Sequence, residues 1–243
     1  MFSKKEIIHL VISIIFLGLI FGFDDGAKNF VLGHWLVNLL GITLIVAISI
    51  LIKESVMKLV SLSKSLESEY EIWNMHRVWF GSYGKLKKGI PAGIILAILF
   101  TFMSKGKFFF AAIGVHNFKE KLGARTGRSK IFIEYFEEAT IALSGVMTHV
   151  FLVIFAVILS KFIARDLTNL VRINFSLALF SLLPFSDLDG AKIFFGSKIL
   201  YIFSIIFVTI SFMFLKFGLL LGVIVAFIVA FLVMLTYYLM YEQ

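Results

Sequence analysis

The chain has 243 residues, of which 60% are hydrophobic and 16% charged, with a formal net charge of +8. A soluble domain carries about 45–50% apolar and about 25% charged residues, so lipid is the expected solvent. With no cysteine, disulfides and thiolate metal sites are excluded. In such a chain, excess Lys and Arg mark cytoplasmic loops rather than a nucleic-acid surface, so no nucleic-acid partner is expected.

Apolar runs predict spans over Ile7–Phe23, Phe30–Ile52, Phe136–Ser160, Leu167–Pro184, Ile199–Leu215 and Phe217–Met240. The first follows Met1-Phe2-Ser3-Lys4-Lys5-Glu6 and ends in Asp24-Asp25 without a small-residue cleavage site. It reads as an uncleaved span. Lys216 is the only charge between the last two runs, which predicts a tight hairpin. A seventh run, Ile90–Met103, is short and starts Ile-Pro-Ala-Gly, which suits a re-entrant or interfacial segment.

Charge supports that choice. With a cytoplasmic N-terminus and a re-entrant seventh run, eighteen Lys and Arg lie inside and five outside. If the run spans, the split is thirteen to ten, so the positive-inside rule favours six spans. The expected organisation is residues 1–52 with two spans, 53–135 as a cytoplasmic and re-entrant insertion, 136–190 as core spans, and 191–243 as a C-terminal hairpin. Within the insertion, Trp73 and Trp79 are expected as interfacial anchors, and the apolar stretch from Phe108 to Val115 as a strand. The basic residues Lys119, Lys121, Arg125, Arg128 and Lys130 suit anionic headgroups or a topology signal. Glu137 and Glu138 suit a helix N-terminus.

The segment Phe180-Ser181-Leu182-Leu183-Pro184-Phe185-Ser186-Asp187-Leu188-Asp189-Gly190 resembles the F-N-L-L-P-x-P-x-L-D-G signature of site-2 proteases, the intramembrane zinc metalloproteases. Seven of its nine named positions are kept, with Ser181 for Asn and Ser186 for the second Pro. Ala142-Leu143-Ser144-Gly145-Val146-Met147-Thr148-His149 is similar to that family's A-L-A-G-P-L-x-N. Phe110-Ala111-Ala112-Ile113-Gly114-Val115 and the opening Phe2-Ser3-Lys4-Lys5-Glu6 look like segments of archaeal members.

The resemblance implies an all-α polytopic membrane core with a small strand-bearing cytoplasmic insertion. It also implies lateral entry of a transmembrane client, and Asp189 as a zinc ligand. The family's second span ends in H-E-x-x-H, where two His bind zinc and the Glu acts as general base. Here that position reads Ile52-Lys53-Glu54-Ser55-Val56-Met57, so Lys53 and Met57 stand for the two His and Glu54 survives. A lysine ammonium repels a metal and can pair with Glu54 or Asp189, and a thioether is a poor zinc ligand. No zinc is therefore expected. The expectation is a pseudoprotease in the cell membrane that binds or scaffolds a transmembrane client.

Other readings stay open. An active intramembrane metalloprotease could use an altered site of Glu54, Asp189 and His149, the last standing at the family's Asn position. His149 could equally hydrogen-bond between helices. His34 and Asn38 could be forced onto H-x-x-x-H, but His34 beside Trp35 reads as interfacial. Asp189-Gly190 could be a turn that ends a helix.

Overall fold

The computed structural model describes residues 2–27, 29–77, 85–121, 133–163, 167–214 and 219–241. Trp79, Arg125, Arg128, Lys130 and Lys216 lie outside them. The described residues form eight helices and four short strands. They make two compact units, one of residues 1–50 and 69–117, the other of residues 51–68 and 118–243.

Helix α1, Lys4–Gly22, starts at a capping box in which Ser3 and Glu6 satisfy each other's backbone N–H groups. Helix α2, Leu32–Ser63, runs eleven residues beyond the apolar stretch. Lys53, Glu54, Met57, Lys58 and Leu59 are good helix formers, so nothing stops it at the end of the apolar run. It stops where Ser65 takes a left-handed conformation, φ 60°.

Strand β1, Leu66–Ile72, pairs with β4, Gly114–Glu120, while β2, Met75–Arg77, pairs antiparallel with β3, Lys85–Ile90. Helix α3, Ala92–Met103, lies between the sheets in sequence. The strand expected over 108–115 begins only at Gly114. Phe109 and Phe110 are apolar because their rings meet Phe21, Trp73 and Phe100, not because they sit in a pleated ladder. Trp73 is buried rather than interfacial, for the same reason.

In the second unit, α4 is Tyr135–Ile163, α5 Thr168–Ser181, α6 Asp189–Gly196, α7 Lys198–Met213 and α8 Leu219–Tyr241. Ala142, Val146, Val150 and Val153 recur at helical spacing on α4. They pack with Phe175 and Ala178 of α5, Ile193 of α6, Phe207 and Val208 of α7, and Ala226 and Ala230 of α8. The other side of α8 exposes Leu221, Ile224, Ile228, Phe231 and Leu232. A soluble protein rarely leaves so continuous an apolar face in water.

Four described helices, α1, α2, α4 and α8, are long and apolar enough to cross a bilayer. The chain is thus a predominantly helical, membrane-embedded protein. Helix α7 is apolar but shorter, and α5 has only 14 residues.

Candidate functional site

Lys53 and Met57 lie one turn apart on α2 and share a face, with Glu54 next to Lys53. Asp189 does not end a helix. It opens α6, where a carboxylate suits the positive end of the helix dipole. The fold brings Lys53 and Asp189, 136 positions apart, to 3.3 Å between Nζ and Oδ2. The same ammonium lies 3.4 Å from Glu54 Oε1. All three side chains are buried, at 10%, 2% and 4% exposure for Lys53, Glu54 and Asp189.

Gly145 of α4 forms the opposing wall. A Cβ there would sit 2.6 Å from Met57 Sδ and 2.9 Å from Lys53 Cε, so a glycine admits both long side chains. Met57 is fully buried and packs with Leu66 and Ile141.

The signature loop is built by its backbone. Leu182 and Leu188 are buried, whereas Pro184, Phe185, Ser186 and Asp187 are exposed, with Ser186 at φ 50°. Ser181 closes α5 and is half-buried. Gly190 rests against the backbone of Leu182 and Leu183, where a Cβ would lie 2.6 Å from Leu183 O. Gly190→Ala is therefore expected to destabilise the protein by about 1–3 kcal/mol, because backbone rather than a flexible side chain must give. Thermal melting in detergent checks this; an unchanged melting point would place the loop elsewhere.

His149 is buried one turn beyond Gly145, and its Nδ1 lies 2.9 Å from Asn174 Oδ1. The Asn174 amide donates to Leu170 O at 2.9 Å, so its oxygen accepts and His149 Nδ1 carries the proton. Neither Asn174 nor Lys192 stood out in the sequence. Lys192 lies over the Phe118 ring at 4.7 Å. Burial pulls its ammonium below the usual lysine range, and the charges of Asp189, Glu138 and Asp187 oppose that shift. Glu137 sits in the first turn of α4 and accepts from Glu134 N–H at 3.2 Å, a capping role. His34 is exposed, and Asn38 donates to Gly22 O at 3.4 Å, so these two form no site.

The donor set does not fit zinc. An ammonium stands between the two carboxylates, and it offers only donors. Among the described residues no three His, Asp or Glu side chains are grouped to hold a metal ion. Glu54, Asp189 and His149 are not grouped as such a set, and the Nδ1–H held by Asn174 leaves Nε2 as the imidazole's acceptor.

Comparison with protein-family models, with curated proteins and with solved structures returned no match.

Proposed function

We propose that the chain is a site-2-protease-like membrane protein whose centre holds an ion pair in place of a metal, and that it binds or scaffolds a transmembrane client without cleaving it. One observation carries this reading. The Lys53 ammonium is held at 3.3–3.4 Å from the two carboxylates that the family resemblance assigns to catalysis and metal binding. Hydrolysis of this type needs a metal-activated water, and a cation already neutralises the place where the metal would act.

The same reading has six spans, a cytoplasmic N-terminus and a location in the cell membrane. Helices α5 and α7 then cross with the help of flanking residues, because 14 and 16 residues rise only about 21 and 24 Å. A bilayer accommodates short spans by local thinning. Strands β1–β4 and helix α3 belong to the cytoplasmic and re-entrant insertion, residues 53–135.

Co-reconstitution with a single-span test substrate and added zinc tests the reading. The substrate should stay intact. Cleavage that a chelator stops and Glu54→Gln abolishes would establish an active metalloprotease instead.

A further inference from the structure

Beyond Lys4 and Lys5, helix α1 is apolar except for Glu6, His9 and Ser13, which fall at i, i+3 and i+7. They hold β1 against it. Tyr70 N–H donates to Glu6 Oε1 at 3.2 Å, Ile72 N–H lies 3.4 Å from His9 Nδ1, and Tyr70 O–H lies 2.8 Å from Ser13 Oγ. Lys5 also pairs with Glu71. Strand residues 69–72 thus cover the first half of α1. Side chains of that helix satisfy strand N–H groups, as backbone at membrane depth requires.

The chain then continues along the rest of α1. Trp73 N–H donates to Ile113 O at 2.8 Å, and Gly93 N–H to Trp73 O at 3.3 Å, which ties the start of α3 to the end of β1. Helix α3 packs on α1, and its buried face is the small stripe Ala92, Gly93, Ala97 and Thr101. Its far end meets the far end of α1. The Phe102 and Phe23 rings are 5.2 Å apart, and a Cβ on Gly106 would lie 2.9 Å from Phe23 and 3.1 Å from Asp24. A built turn then reverses the chain. Lys105 and Gly106 are left-handed, at φ 55° and 80°, and Gly106 N–H donates to Thr101 O at 2.8 Å. Ser104 Oγ holds both the N–H and the carbonyl of Phe108, at 2.8 and 2.7 Å. The returning segment passes Phe21, whose ring is 4.9 Å from Phe109, on its way to Ile113.

From Glu6 to Phe23 an α-helix rises roughly 26 Å, close to the hydrocarbon thickness of about 30 Å. An element that begins beside Glu6 and turns beside Asp24 therefore traverses that depth and comes back. At its tip Phe102, Met103 and Phe108 are 58%, 79% and 72% exposed, and Lys105 and Lys107 are exposed between them.

We propose that residues 102–108 are a membrane anchor docked in the phospholipid headgroup layer at the face opposite the N-terminus. Met103 and the two Phe enter the acyl region, and Lys105 and Lys107 reach the phosphates. Aromatic and apolar groups below, with lysines above, match the two chemical layers of a leaflet surface. Moving two cations to that face leaves the inside majority of Lys and Arg intact. The inference draws on the first unit alone and is independent of the metal-site reading.

The cysteine-free chain makes the test direct. Single variants Lys4→Cys, Lys105→Cys and Lys107→Cys are reacted with a membrane-impermeant thiol reagent in sealed vesicles of known orientation. Positions 105 and 107 should label from the face opposite position 4. Labelling from the same face, or only after the membrane is dissolved, overturns the proposal. A fluorophore on Phe108→Cys supplies a second readout. Nitroxides near the headgroups should quench it more strongly than nitroxides deep in the acyl chains, and the reverse order contradicts the anchor.

Discussion

Lys53→Met is expected to destabilise the protein by about 3–5 kcal/mol, because it leaves Glu54 and Asp189 buried near one another without their shared cation. The volume hardly changes, so the loss is electrostatic rather than a cavity effect. The triple variant Lys53→Met, Glu54→Gln, Asp189→Asn removes all three charges and should recover most of that stability, since neutral replacements of buried ion pairs are often tolerated. Thermal melting in detergent separates the two. A single variant as stable as the wild type would show that the ion pair contributes nothing. A triple variant as poor as the single would point to packing.

The second large effect is a gain. Lys53→His with Met57→His places two imidazoles four residues apart on one face of α2, within reach of Asp189 and facing Gly145. Two His and one carboxylate are the ligand set of a catalytic zinc site, with a fourth position left for water. The double variant should bind about one zinc per chain, and adding Asp189→Ala should abolish it. A folded double variant that takes up no zinc would show that the three positions do not converge as the site-2-protease resemblance requires. Removing the ammonium is the essential half, so Met57→His alone should bind none.

The parts of this structure legible in the sequence are those set by local composition. Apolar runs located the four long helices within a few residues, except for the C-terminal end of α2, because bilayer thickness imposes a length that hydropathy reads directly. The Lys53–Asp189 pair was legible as a possibility. Alignment of two motifs placed a cation where the family has a metal ligand and kept an anion in the other.

What escaped depends on tertiary contact. His9 and Ser13 carry no motif and Glu6 reads only as part of the helix start, so only β1 packed along α1 shows what the three bond. Asn174 is one polar residue in an apolar run, and only the fold sets His149 opposite it. In the sequence Lys192 is one basic residue among the eighteen expected inside, and nothing there shows that it shares the surroundings of Asp189. The stretch before Gly114 looked like a strand because strand and packed coil both require apolar residues, and periodicity cannot separate them over so few positions. The end of α2 was set too early for a related reason. Apolarity marks where a helix leaves the lipid, not where it stops.

The central claim is that an ammonium has taken the metal's place between Glu54 and Asp189. Metal analysis of protein purified in detergent without chelator, on wild type and on Asp189→Ala, tests it most directly. The account predicts no stoichiometric zinc in either. Zinc at one per chain in the wild type that disappears in Asp189→Ala would contradict it.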